Sequence, residues 1–172
     1  IEHQFRLFLL LLVTLFVWWV IVSHHWSYMS LWFRTDNLRY SVLPYILFTI
    51  LGVWVLLSLA FFLGKTPQQF WYKDIHLLFL FIPISIAQEF LYRSFLMKEL
   101  SSLHLSLFSV ILINTFLFTF LHIIYWSVLL ILPLTFFAGI GFAWMFKKYP
   151  NFYLVSLSHS ILNFVAVLYT FF

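Results

Sequence analysis

Residues 75–97 read IHLLFLFIPISIAQEFLYRSFLM, and this stretch decides the fold. A helix needs roughly 20 mainly apolar residues to cross about 30 Å of hydrocarbon, and this one has them. Its only formally charged residues are Glu89 and Arg93. Five further apolar runs accompany it: about Leu7–Ser23, Leu43–Leu63, Leu105–Ile124, Ser127–Phe146 and Phe152–Phe172. Pro44 opens the second run and Gly64 closes it. The runs are too long and too unalternating to be strands of a barrel. The expected fold is therefore an all-α, polytopic membrane bundle of about six transmembrane helices. No linker, repeat or low-complexity tract divides residues 1–172, so one domain is expected.

The composition points the same way. Of 172 residues, 65% are hydrophobic and 8% charged, with a mean hydropathy of +1.05. Soluble domains are nearer 45–50% apolar and about a quarter charged. The net charge of +4 does not mark a nucleic-acid binder, because the nine Lys and Arg are scattered and form no basic patch. Absence of cysteine removes disulfides, Cys-type zinc sites and a thiol nucleophile. The 24 Phe and eight Trp suit a lipid-facing surface with aromatic belts, making the bilayer itself a partner. The first apolar run does not read as a cleaved signal, because Ser23-His24-His25-Trp26 follows it and offers no small-residue cleavage site. Residues 24–42 are expected at the membrane interface, with 64–74 as a polar loop and 147–151 as a short basic turn. If the helices alternate, Arg6, Lys65 and Lys73 oppose Arg34, Arg39, Lys98, Lys147 and Lys148. The excess places the Lys147-Lys148 turn in the cytoplasm.

Charged groups inside a bilayer are costly and mark function or a paired partner. The five acids are Glu2, Asp36, Asp74, Glu89 and Glu99, and Glu89 alone lies deep in a spanning run. Arg93 stands four residues on, on the same helix face, so the two can pair. The plainest reading is an ion pair that holds helix packing. His122 lies in the fourth run, while His159 and Asn163 share one face of the sixth at i and i+4. A single intramembrane His is more often a helix–helix hydrogen-bonding group than a catalyst. Here Gln88, Glu89, Arg93, His122, His159 and Asn163 fall on three helices, and each would be unsatisfied against lipid. One shared polar cavity among helices three, four and six solves this and is the candidate site. Asn114, Thr115 and Thr119 read as interhelical hydrogen-bonding groups, Gly139 and Gly141 as sites of close helix approach, and Pro83 and Pro133 as kinks. His24 and His25 read as solvated interfacial residues rather than a metal pair.

Hydrolysis of a peptide bond in such a cavity needs a water, a base and donors for the oxyanion. His122 could orient or deprotonate the water. His159 and Asn163, one turn apart, could both donate to the oxyanion, while Glu89 and Arg93 lock helix three. An unpaired carboxylate aimed at the water is missing. Gln88 has the length, but an amide is a negligible base.

Gln88-Glu89-x-x-x-Arg93, Phe118-x-x-x-His122 and His159-x-x-x-Asn163 resemble, in order, the three motifs of the CPBP family. These are the CAAX-protease and bacteriocin-processing intramembrane endopeptidases, whose pattern is Glu-Glu-x-x-x-Arg, Phe-x-x-x-His and His-x-x-x-Asn/Asp. The resemblance runs from Ile75 to Asn163. It implies that the residue at 88 is the general base, that His122 positions or activates the water, and that His159 and Asn163 stabilise the oxyanion. Glu89 and Arg93 would support them. It implies a membrane-anchored protein or peptide substrate, cut near its anchor or a C-terminal sorting or prenyl segment. A compact core suggests a multi-pass protein of the bacterial inner membrane. Zinc is conceivable, but two intramembrane His and one acid beside an Arg are a poor zinc set, so no cofactor is expected.

The departure falls at the decisive position, where Gln88 replaces Glu. Glu89 cannot substitute for it, because adjacent helical residues point about 100° apart. Gln88 is then an engineered, near-isosteric inactivating exchange, or the mark of a natural non-catalytic relative, or a water-orienting partner to His122 acting as base. The intact remainder of the motifs favours the first. Two rivals remain: a binding or immunity protein of the same fold, and a small transporter using Glu89, His122 and His159 as a proton relay. The protease reading requires Gln88, His122, His159 and Asn163 to converge and Glu89 to contact Arg93. It also asks helix four to extend beyond Ile124, to bring His122 to the depth of Gln88.

Overall fold

The computed structural model describes residues 2–73, 75–124 and 127–171. The loop acid Asp74 and the expected terminus at Phe172 lie outside them. The chain is an all-α bundle, with no strand among the described residues. Its helices are α1 (Glu2–Ser23), α2 (Leu38–Phe62), α3 (Ile75–Glu89), α4 (Met97–Ser102), α5 (Leu107–Phe120), α6 (Val128–Lys148) and α7 (Phe152–Leu168). A π-helix, Phe90–Leu96, joins α3 to α4, so the two run on as one rod. Short 3-10 turns cover Tyr28–Leu31, Trp71–Lys73 and Leu121–Ile124.

Local chemistry sets several boundaries. α2 starts at Leu38, about a turn earlier than expected, so Pro44 lies inside it rather than opening it. The helix ends where Gly64, at φ +63°, takes the left-handed conformation. There the Gly64 N–H donates to Phe61 O and the Lys65 N–H to Ala60 O, the paired bonds of a glycine-terminated helix. Asn151 caps α7 by accepting from the Leu154 N–H, and Ser106 caps α5 by accepting from the Ser109 N–H. Asn151 also donates to Arg34 O and Asn37 Oδ1, tying the start of α7 to the segment before α2. α5 does not extend past Ile124 as an α-helix; it tightens into the 3-10 turn at Leu121.

α7 packs against both α2 and α3, and α5 packs against α6. Gly139 lets α5 and α6 approach, since a Cβ there would lie 3.1 Å from Thr115 and 3.2 Å from Phe118. Gly141 does the same for α6 and Phe48 of α2. The largest core cluster holds Tyr45, Met97, Val110, Phe142, Phe146 and Val155. Outside it the surface is apolar: Phe61, Phe62, Leu129 and Phe137 are largely exposed. α2 and α6 are long and apolar enough to cross a membrane, and only 17% and 33% of their spanning windows are buried. A core helix of a soluble protein would be mostly buried, so this exposure fits a lipid solvent.

Candidate active site

The last turn of α3 supplies Gln88 and Glu89, and the π-helix supplies Arg93. A π-turn closes i→i+5 bonds and is often found at functional positions. Here the Met97 N–H donates to Tyr92 O. Asn114 of α5 clasps this segment from the side. Its Nδ2 donates to Tyr92 O at 2.6 Å, and its Oδ1 accepts from Arg93 Nη1. Sequence reading assigned Asn114 a general interhelical role; the structure gives it a particular partner.

Glu89 and Arg93 are wholly buried, and Glu89 Oε2 lies 3.3 Å from Arg93 Nε. That is charge-pairing distance without the alignment of a hydrogen bond. The other carboxylate oxygen was not assigned a partner by the sequence: Oε1 accepts from His159 Nδ1 at 2.6 Å. Glu89 is thus shared between α3 and α7. The Arg93 guanidinium is capped by the Phe118 ring, 4.9 Å from its centroid, an arrangement that favours a buried cation.

The two histidines have assignable protons. A carbonyl only accepts, so His122 Nδ1, 2.9 Å from Phe118 O, carries the hydrogen. Phe118 O belongs to the last turn of α5, whose carbonyls lack helical donors. The helix end itself therefore fixes the His122 tautomer and places the lone pair of the neutral ring on Nε2. His159 donates from Nδ1 to Glu89. Its Nε2 is an acceptor when the ring is neutral and a donor only as imidazolium, for which Glu89 is the counter-ion.

His122, His159 and Asn163 line one cavity of about 230 Å³, walled by Phe118, Phe142 and apolar residues of α2 and α6. This departs from the expected polar cavity among helices three, four and six. Among the described residues no α3 side chain is in its lining, and α2 contributes a wall that the sequence did not suggest. Gln88 is buried outside that lining, and among the described residues its Oε1 has no hydrogen-bond partner. The reason is angular: α3 turns Glu89 toward α7, which leaves its neighbour pointing elsewhere. Asn163 Nδ2 donates to Ser85 Oγ at 2.9 Å, and Ser85 carried no signal in the sequence beyond being one polar residue in an apolar run. Among the described residues, no three His, Asp or Glu side chains are grouped to hold a metal. Glu89, with its oxygens turned to Arg93 and His159, does not fit a zinc ligand.

The family model for type II CAAX prenyl endopeptidases, Rce1-like, matches residues 69–165. The chain belongs to this family. The matched span contains Gln88, Glu89, Arg93, His122, His159 and Asn163, together with α3, α5, α6 and most of α7. No curated protein and no solved structure matches the chain. The Rce1-like family is membrane-embedded and its kind of activity is intramembrane CAAX-type proteolysis. α2, with its exposed apolar surface and its wall of the cavity, lies before the matched span.

Proposed function

We propose that the chain is a metal-free intramembrane endopeptidase that cuts a membrane-anchored protein or peptide near its anchor or a C-terminal sorting or prenyl segment. Gln88 leaves the present form inactive. The observation that carries this reading is the meeting of His122, His159 and Asn163 on one cavity, with Glu89 and Arg93 buried behind His159. In the proposed reaction a carboxylate at position 88 must first turn toward the cavity, whose lining does not include Gln88; there it removes a proton from water while His122 Nε2 orients it. The water oxygen bonds to the carbonyl carbon. His159, as imidazolium, and the Asn163 amide donate to the oxyanion. Collapse breaks the C–N bond, and the amine takes the proton from the base. Preorganised donors of this kind are worth about 10²–10³ each in rate. With an amide at 88 the carboxylate base is gone, and in this reading the cycle stops before the C–O bond forms.

The reading implies a multi-pass protein of the bacterial inner membrane, with the lipid bilayer and the anchored substrate as its partners. It is tested by comparing the chain with its Gln88→Glu variant in membranes of a host lacking its own copy. New N- and C-termini of membrane proteins are mapped by mass spectrometry. Cleavage products only with Gln88→Glu are the expected result. Identical termini from properly inserted protein would overturn the protease and favour a binding protein of the same fold. The buried Gln88 Oε1, without a partner among the described residues, is the observation on that second side.

A further inference from the structure

Ser85 lies on α3, one turn before Gln88 and Glu89, and is wholly buried. Its Oγ–H donates to Phe81 O at 2.7 Å, the back-bond usual for serine in a helix. A hydroxyl has one proton, so with that proton committed Oγ can only accept. The group that meets it is the Asn163 carboxamide, at 2.9 Å through Nδ2. Were the amide flipped, Asn163 Oδ1 would face an oxygen with no proton to give. Ser85 therefore selects which end of the amide points to α3. An NH₂ carries two donors, and Ser85 engages one, leaving the second for the cavity that Asn163 lines.

We infer that Ser85 is a positioning residue: it fixes the Asn163 amide so that a donor, not an acceptor, is presented to the reacting carbonyl. The inference rests on the oxyanion role proposed for Asn163. It predicts a particular split in the kinetics of the Gln88→Glu chain, read on the substrate that terminus mapping delivers. Ser85→Ala lowers kcat about 10-fold and leaves KM within about 2-fold, because the donor is still present but no longer held. Asn163→Ala costs on the order of 100-fold. In the Asn163→Ala background, Ser85→Ala has no further effect, since the two act as one unit. Additive losses would overturn the inference and leave Ser85 a packing residue.

A second measurement needs no activity and uses the present chain in micelles with ¹⁵N-labelled asparagine. The sequence has four asparagines, Asn37, Asn114, Asn151 and Asn163, and the Asn163 pair is identified by its loss in Asn163→Ala. One of its two side-chain protons should exchange slowly with water and the other fast. Ser85→Ala, and Ser85→Cys with its poorly accepting sulfur, should make both fast while the other three pairs stay unchanged. Two fast protons in the unsubstituted chain, or a pair indifferent to Ser85, would overturn the positioning itself. If the Gln88→Glu chain cuts nothing, the protease reading fails, and this measurement still decides how the amide is held.

Discussion

Glu89 is the residue on which the site turns. One oxygen faces Arg93 and the other accepts from His159, and none of the three is more than slightly exposed. A buried ion pair is weak evidence of net stabilisation, but removing one partner strands the other charge and costs about 3–5 kcal/mol. Glu89→Gln should therefore lower the unfolding free energy in micelles by about 3 kcal/mol or more. The double variant Glu89→Gln, Arg93→Gln should recover part of the loss, because no unpaired charge remains. A loss below about 1 kcal/mol for the single variant would mean that water or lipid headgroups reach Arg93. Gln88 differs from glutamate by an NH₂ in place of one carboxylate oxygen, which in the proposed reaction removes the base at nearly constant side-chain size. Because Gln88 is buried, Gln88→Glu also introduces a buried charge, so its comparison with the present chain is read only on properly inserted protein.

Two element ends carry the geometry. The π-helix Phe90–Leu96 changes the turn between Glu89 and Arg93, and α5 holds it through Asn114 and through Tyr92 Oη, which donates to Leu117 O. α5 itself stops at Phe120 and tightens, which brings His122 back over its own last turn. α6 backs this arrangement at Gly139, against Thr115 and Phe118. Phe118 in turn touches Arg93, His122 and His159. A larger side chain at 139 must push α5 away, and overpacking of this kind costs about 1–3 kcal/mol. Gly139→Val should thus lower the melting temperature. In the Gln88→Glu background it should also reduce kcat more than KM rises, because the ring that orders the site is displaced. Retention of full activity by Gly139→Val would separate Phe118 from the positioning of the histidines.

At the scale of the whole molecule, the apolar exterior requires a lipid solvent. Trp54, midway along α2, is 64% exposed, which in water would be an unexplained patch. The chain has no cysteine, so single cysteines report topology without background. Thr35→Cys, before α2, and Thr66→Cys, after it, should be labelled by a membrane-impermeant maleimide from opposite sides of a sealed vesicle. Trp54→Cys should stay unlabelled until detergent is added. Labelling of Thr35→Cys and Thr66→Cys from the same side would remove α2 from the set of spanning helices.

Much of this was legible in the residues. Long apolar runs determine helices in lipid, because a backbone in hydrocarbon must satisfy its own hydrogen bonds. Polar groups within those runs must find one another, which marks Glu89, Arg93, His122, His159 and Asn163 before any coordinates. The spacing of Glu89 and Arg93 also forecasts their contact, since a helix repeats at that interval. What no periodicity contains is the rotation and depth of one helix against another. That is settled by packing, by the glycines that admit close approach and by where α5 ends. Only the tertiary structure therefore decided that Glu89 bridges to His159, that Ser85 meets Asn163, and that α2 walls the cavity while Gln88 lies outside its lining.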